Sequence, residues 1–257
     1  MQEILQNAER IAASESSVLI IGEHGTGKEW IARAMHKLSV RSNGPFWPFD
    51  CAAIASDAIE EELFGRESLT FNGVNIKRGA IEEAEGGILL LNEIDVLPVS
   101  SQMKIARTLE YHNFHRISGE QLQNVNVRII ATSSQPVENL SRDNSLLKGT
   151  FYRISPLILE LPPLRERRED IPLLIDKFLS ELAVRQGATR FRISEEAVAL
   201  CVGYDWPGNI LNLKNAMEYA SVMCAHQYIE PTDLPVYIQS KFQEKGYDHD
   251  VRHKERS

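Results

Sequence analysis

Residues 18–29 of the chain read VLIIGEHGTGKE. An apolar run is followed by the pattern Gly-x4-Gly-Lys, which ends at Lys28, and then by a stretch with helical spacing. In a strand, loop and helix of this kind, backbone N–H groups turn toward phosphate oxygens and the lysine adds a positive charge. The stretch therefore predicts a phosphate-binding loop. The predicted nucleotide-binding residues are Gly22, Glu23, His24, Gly25, Thr26, Gly27, Lys28 and Glu29.

Further apolar runs in the first part of the chain indicate a parallel sheet. Residues 88–91 and 127–131 are short and largely apolar, like residues 18–21, instead of alternating between apolar and polar. Such runs are typical of strands that are covered on both faces. The pattern predicts an α/β domain with a mainly parallel sheet. Helices are expected around residues 28–38, 102–110 and 146–153.

The pattern changes after Leu-Pro-Pro at residues 161–163. Residues 171–182 show helical apolar spacing, Ser194 is placed to cap a following helix, and another helix is expected from residues 207–208 to about Cys224. No strand is evident in this second part. The domains are expected to be an α/β nucleotide-binding subdomain at 1–163, a small helical subdomain at 164–242, and a linker or disordered tail at 243–257.

Composition narrows the class of protein. The chain has 257 residues, 28 Lys plus Arg, 36 Asp plus Glu, and a formal net charge of −8. This acidic balance is unfavourable for nucleic-acid binding by the domain itself. Its cysteines, Cys51, Cys201 and Cys224, are far apart, which predicts no structural metal site. Without a long apolar run, the sequence predicts a cytoplasmic protein with no membrane partner.

Glu29 narrows the family, because most phosphate loops have Ser or Thr after the lysine. With this residue, the loop resembles the AAA+ central domain of bacterial enhancer-binding proteins, the NtrC-type activators of sigma-54 RNA polymerase, as a divergent member. Further matching motifs are Glu62-Leu63-Phe64-Gly65, Glu85-Gly86-Gly87, Glu93-Ile94, residues 127–131, residues 161–167 and Trp206-Pro207-Gly208-Asn209.

The resemblance implies an AAA+ P-loop subdomain with a helical lid that binds ATP or ADP and self-associates, from a dimer up to a ring. It also implies contact with RNA polymerase. Complete members carry a sensory domain and a helix-turn-helix domain. The sequence is therefore interpreted as an excised central domain that reaches DNA only through a missing helix-turn-helix.

The catalytic motif of the family is altered. Its strand normally ends in Asp-Glu, with the aspartate holding Mg²⁺, whereas this chain has Asn92 and Glu93. An amide offers a carbonyl oxygen but no negative charge, so we expect a degenerate site with weakened Mg²⁺ binding. Glu93 is retained and is expected to polarise the attacking water.

Arginines expected from the family are also replaced. If Arg153 is the last arginine of the finger segment, Leu147 occupies the position of the first. Arg153 then either faces a phosphate or forms a surface ion pair. Leu211 stands at the lid sensor position, and Ser134 stands at the strand sensor position. Leucine cannot stabilise negative charge, so these changes predict weak ATP hydrolysis.

The loop that contacts sigma-54 in the family is altered too. Phe71 and Gly73 remain, whereas Leu69 and Val74 replace a glycine and an alanine. Phe71 is either a partner contact or a residue that packs within the loop. The changes reduce backbone freedom and favour action independent of sigma-54.

The sequence predicts a nucleotide-binding AAA+ regulatory domain of a bacterial transcription factor, with degenerate ATPase residues. The alternatives are a slow ATPase that activates sigma-54 RNA polymerase and a structural domain that binds no nucleotide. Cyclic di-GMP is a further ligand to test, through Lys28 and Arg33, although an exposed helix position is the preferred interpretation of Arg33. His24 either touches a phosphate or, by preference, faces solvent.

Overall fold

The computed structural model describes residues 2–70, 73–142, 146–187 and 190–240. The chain divides into two compact units. The first comprises Met1–Glu23 and Gly27–Leu161, and the second comprises His24–Thr26 and the chain from Pro162 onward. The tip of the phosphate loop therefore belongs to the second unit, although the rest of the loop belongs to the first.

A parallel five-stranded sheet forms the centre of the first unit, in the order β2-β5-β8-β1-β9. Antiparallel hairpins β3–β4 and β6–β7 complete its strands in the described residues. The strands are β1 (Val18–Ile21), β2 (Phe46–Asp50), β3 (Arg66–Thr70), β4 (Gly73–Lys77), β5 (Ile88–Asn92), β6 (Asn113–His115), β7 (Leu122–Asn124), β8 (Arg128–Ser133) and β9 (Leu157–Glu160).

Helices cover both faces of this sheet. They are α1 (Gln2–Ala12), α2 (Lys28–Leu38), α3 (Ile59–Phe64), α4 (Ala80–Glu83), α5 (Val99–Tyr111), α6 (Val137–Arg142) and α7 (Lys148–Ile154). Alternate strand residues enter two separate clusters, as the period of two requires. Leu89 and Leu91 pack with α3 to α7, whereas Ile88 and Leu90 pack with α1 and α2.

Arg128 explains the charged residue inside an otherwise apolar strand. It is 2% exposed and donates to the carbonyls of Ser16 at 3.0 Å, Ala12 at 2.9 Å and Ile11 at 2.8 Å. The last carbonyls of a helix lack partners within it, so a cation there stabilises its C-terminus. Arg128 thereby fixes the end of α1 against the sheet.

The predicted fold class is confirmed, and the strands expected at residues 18–21, 88–91 and 127–131 are present within a residue or two. Strands β2 and β9 were not predicted. Both lie at the edges of the sheet. Edge strands are partly exposed and tolerate residues such as Pro48, and a proline inside an apolar run argues against a strand in the sequence.

The second unit is mainly helical, with α8 (Ile171–Gln186), α9 (Glu195–Gly203) and α10 (Asn209–Met223). Its core contains the fully buried Trp206, whose Nε1 donates to the Cys201 carbonyl at 2.7 Å. Ser194 caps α9 as predicted, since its Oγ accepts from the Ala197 N–H.

One expectation for this unit is wrong. Short parallel strands β10 (Arg192–Ile193) and β11 (Tyr228–Ile229) pair there, although no strand was predicted. Two-residue strands are too short to produce a recognisable sequence period. The tail expected at 243–257 lies outside the described residues. Among the helices described, none is long and apolar enough to cross a bilayer.

Candidate functional site

Three parallel strands of the first unit deliver polar residues to the same edge of the sheet. The phosphate loop follows β1, Glu93 follows β5 and Ser134 follows β8. Because the strands are parallel, their carboxyl ends share one edge, which is where ligands bind in open α/β sheets. The topology thereby brings together residues that are far apart in the sequence.

Lys28 lies at the centre of this edge and is almost completely buried. Its Nζ donates to the Gly22 carbonyl and to Ser134 Oγ, both at 2.7 Å, and lies 3.2 Å from Glu93 Oε1. Burial lowers the pKa of the Lys28 ammonium, while the charges of Glu93 and Asp95 act in the opposite direction. The lysine charge is thus held inside the protein by a carboxylate.

Glu93 is fixed on both carboxylate oxygens. Ser134 Oγ donates to Oε1 at 2.9 Å, and the Ser134 N–H donates to Oε2 at 3.0 Å. Its backbone adopts a φ of 51°, and its N–H donates to Thr132 Oγ1 at 3.1 Å. A non-glycine residue in this conformation costs about 1–3 kcal/mol, and such residues concentrate at functional sites. We call Lys28, Glu93 and Ser134 the lysine cluster.

Asn92 lies beside the cluster at the end of β5. Its Oδ1 accepts from Thr132 Oγ1 at 3.3 Å. The in-register neighbour of Asn92 on β2 is Asp50, an exposed carboxylate that sequence reasoning did not single out. Its position at the end of a strand could have identified Asp50 from the sequence. The proline and aromatic residues of β2 made that strand hard to recognise.

The chemistry of the edge matches Mg²⁺ bound together with phosphates. Among the residues that the structure describes, no group of three or more His, Cys, Asp or Glu side chains is placed to hold a metal ion alone. Mg²⁺ is usually bound through one or two carboxylates plus substrate phosphates. Asp95 Oδ1 is buried with no hydrogen-bond partner among the described residues, and a carboxylate oxygen is a ligand that Mg²⁺ prefers. Carboxylate oxygens at this edge therefore fit a cation that is also bound by phosphates.

The start of α2 is open to an anion. Gly27, its N-cap, has a φ of 99° and gives the helix no side-chain cap. Gly25 also has a positive φ, of 77°. The first N–H groups of a helix lack partners within it, so this N-terminus favours a phosphate.

The second unit holds the tip of the phosphate loop by its carbonyls. Asn209 Nδ2 donates to the His24 carbonyl, and the Ile210 N–H donates to the Gly25 carbonyl, both at 2.9 Å. Arg167 donates to the Thr26 carbonyl at 2.7 Å. Asn209 and Arg167 are buried. Both residues lie in motifs that the sequence analysis identified, but this role was not predicted. Their acceptors are backbone carbonyls, which every residue provides.

Other predicted residues lie outside the lysine cluster. Glu29 pairs with Arg33 at 2.6 Å, and the Arg33 guanidinium lies 4.8 Å from the centre of the Phe46 ring. Arg33 and His24 are both exposed. Leu211 is 58% exposed, and its Cβ lies 3.2 Å from where a Cβ on Gly25 would stand.

Arg153 is placed at the opposite edge of the sheet. It lines a cavity with Ser17 and Val127, which precede β1 and β8, and it forms an ion pair with Glu110. Arg153 is therefore ion-paired at the surface, and its side chain does not reach the phosphate loop of its own chain. Leu147 precedes α7 and carries no charge there.

The predicted partner loop forms the β3–β4 hairpin. Gly73 begins β4, and Leu69 and Val74 pair across the hairpin with side chains that are 90% and 58% exposed. Phe71 lies outside the described residues. The hairpin therefore presents apolar side chains to solvent.

Comparisons with known proteins agree with this architecture. The family model described as Sigma-54 interaction domain matches residues 1–160, and the one described as AAA+ ATPase lid domain matches residues 165–250. The chain is 41% identical to the regulatory protein AtoC of Escherichia coli over 240 residues, which are 93% of this chain and 52% of AtoC.

Solved structures of NtrX from Brucella abortus are also similar. The complex with ATP has a TM-score of 0.87 at 35% identity, covering 94% of this chain and 54% of that chain. The complex with ADP has a TM-score of 0.85 at 34% identity, covering 93% and 54%. The chain spans about half the length of these relatives.

Proposed function

Because this chain belongs to the Sigma-54 interaction domain family, the AAA+ domains of bacterial transcriptional regulators, we propose that it binds ATP or ADP as a regulatory module whose ATP hydrolysis is weak or absent. The observation that carries the proposal is the intact loop with the buried Lys28, set among residues that no longer supply the full hydrolytic machinery. NtrX, which has been solved with ATP and with ADP, supports nucleotide as the ligand.

Binding follows from the chain's own groups. The open N-terminus of α2 and the Lys28 ammonium favour β- and γ-phosphates. Lys28 is already paired with Glu93, so a phosphate must replace that carboxylate as its partner. Glu93 keeps its hydrogen bonds from Ser134 and, without the Lys28 contact, accepts a hydrogen bond from the attacking water. Phosphate binding at Lys28 and the rearrangement of the Glu93 carboxylate therefore occur in the same exchange of ion-pair partners.

Hydrolysis lacks charge stabilisation. Asn92 offers a bound Mg²⁺ no negative charge, and Leu147 and Leu211 offer a reacting phosphate no positive charge. Mg²⁺, when bound, neutralises charge that develops on the phosphates, and an arginine finger contributes roughly 10³- to 10⁵-fold to the rate. Arg153 is paired with Glu110. This supports a domain that holds nucleotide with little turnover.

The same proposal covers partners. The family supports self-association, from a dimer up to a ring, and contact with RNA polymerase in the cytoplasm. The altered β3–β4 hairpin, with Leu69 and Val74 at its exposed positions, supports action with a polymerase that lacks sigma-54. The acidic balance of the chain does not support direct DNA contact by this domain.

Calorimetric titration of ATP, ADP and cyclic di-GMP in the presence of Mg²⁺, with phosphate release followed on the same sample, tests the proposal. We expect ATP and ADP binding with little release, and loss of both bindings in Lys28→Ala. Lys37→Ala, an exposed lysine on the same helix, is the matched control. Absence of nucleotide binding in the parent protein would leave a purely structural domain.

A slow ATPase that activates sigma-54 polymerase is the second candidate, favoured by the retained Glu93 in contact with Lys28. Phosphate release that Lys28→Ala abolishes would establish it. The triple variant Asn92→Asp, Leu147→Arg, Leu211→Arg should then accelerate release if the domain forms rings. No acceleration would locate the defect in ring geometry instead of in the chemistry.

A further inference from the structure

Asp50 and Asn92 are in-register neighbours at the carboxyl edge of the sheet, on the parallel strands β2 and β5. Neighbouring strands lie about 4.8 Å apart, and residues in register on parallel strands point to the same face. The position that lacks a carboxylate therefore stands directly beside one that has it.

The shared face is the one covered by α2, the helix that begins at Lys28. Leu90, two residues before Asn92, packs in the cluster that includes Ile31 and Met35 of α2, and Phe46 on β2 packs against that same cluster. The period of two then places Asp50 and Asn92 on this face. The Asn92 hydrogen bond to Thr132 continues the row across the edge toward β1.

We infer that Asp50 supplies the carboxylate charge to the divalent cation of a bound Mg²⁺-nucleotide, in place of Asn92. This inference rests on the proposed nucleotide binding. Glu93 is committed to Lys28 and Ser134 in the structure. Asp50 is exposed, and its hydrogen bond in the described residues is from the Ala52 N–H to Oδ1 at 3.0 Å. Its other oxygen is available to a cation or to a water that the cation holds.

The buried Oδ1 of Asp95, without a hydrogen-bond partner in the described chain, is a second carboxylate oxygen close to this edge. A buried carboxylate oxygen is costly unless a cation or donor meets it. The edge therefore keeps negative charge for a cation even though β5 ends in an amide. The carboxylate lies on β2, the strand next to β5.

The test compares ADP affinity in excess Mg²⁺ with ADP affinity in EDTA, by calorimetry on the full chain. The parent should bind ADP more tightly with Mg²⁺. In Asp50→Asn this Mg²⁺ advantage should fall by about 10- to 100-fold, the range seen when groups supporting a metal are removed, while affinity in EDTA stays the same or rises. Asp57→Asn, an exposed carboxylate outside the strands, is the matched control and should keep the advantage.

The double variant Asp50→Asn, Asn92→Asp returns the carboxylate to β5 and should restore the Mg²⁺ advantage, which a merely structural role of Asp50 does not predict. Equal losses in Mg²⁺ and in EDTA, or an advantage in Asp50→Asn equal to that of the control, would overturn the inference. If the parent protein binds ADP equally tightly in Mg²⁺ and in EDTA, the inference about Asp50 is overturned but the proposed function is not. Parent protein that binds no ADP overturns the proposed function as well.

Discussion

Arg167 donates a hydrogen bond from Nη2 to the carbonyl oxygen of Thr26 at 2.7 Å. The arginine is 3% exposed, and burial lowers its pKa, opposed by the charges of Asp170 and Glu169. A buried guanidinium is costly unless donors such as this Nη2 are used, and the Arg167 Nε is buried without a hydrogen bond among the described residues. Arg167 therefore fixes the loop tip within the second unit, together with Asn209.

Arg167→Met should destabilise the protein by about 1–3 kcal/mol, because the buried Thr26 carbonyl loses its charged donor. Urea unfolding measures the change. Arg165→Met alters an exposed arginine two residues away and should change stability by less than about 0.5 kcal/mol. Equal effects of the two substitutions would show that the Thr26 contact contributes nothing specific.

Gly25→Ala should destabilise by about 2 kcal/mol or more. Gly25 has a φ of 77°, and an added Cβ would lie 2.4 Å from the Gly208 carbonyl oxygen. Gly203→Ala is the matched control, since a Cβ there meets nothing within 4 Å. Thermal unfolding of both variants decides the matter, and a stable Gly25→Ala protein would contradict the described loop.

Leu211→Arg should raise ATP affinity by about tenfold, the effect of one charge-assisted hydrogen bond. The Leu211 side chain already approaches Gly25 of the loop. Leu173→Arg makes the same substitution at an exposed position of α8 and should leave affinity unchanged. Calorimetric titration of both variants, with equal affinities as the contrary result, tests the sensor role expected of position 211.

Nucleotide should raise the thermal stability of the parent protein but not of Lys28→Ala. A ligand that binds only the folded state stabilises it by about 2.7 kcal/mol at 100 times its dissociation constant. Scanning calorimetry with and without ADP detects this, with Lys37→Ala as the control that keeps the shift. A Lys28→Ala protein that is stabilised as much as the parent would place the nucleotide elsewhere.

The contribution of Cys201 to stability should decrease at high pH. Burial raises the pKa of its thiol from 9.0 to about 12. In the unfolded chain the thiol loses its proton near 9, whereas the folded protein keeps it, so stability present below pH 9 is lost as the pH rises toward 12. The difference in unfolding free energy between the parent and Cys201→Ala should therefore shrink from pH 8 to pH 10.5. A constant difference would argue against burial of the thiol.

Sequence patterns predicted the parts of the site that lie on buried central strands. Residues 18–21 and 88–91 form continuous apolar runs, so the phosphate loop with Lys28 and the acidic Glu93 that follow these runs could be recognised. Asp50 could not, because β2 is an edge strand whose exposed residues and Pro48 hide its period. The contacts of Arg167 and Asn209 could not be predicted either, since they end on backbone carbonyls that any residue provides.

The pairing of Lys28 with Glu93 also bears on how ionic strength acts on this protein. Before a nucleotide arrives, the lysine already has an anionic partner, and afterwards a phosphate takes that place. The ammonium thus exchanges one anion for another, instead of gaining its first. Because the Lys28 side chain is buried, salt screens its pair with Glu93 only weakly, and the screening that remains acts on the old and the new contact alike. Nucleotide affinity at this lysine is therefore expected to vary less with salt than affinity at an exposed, unpaired cation.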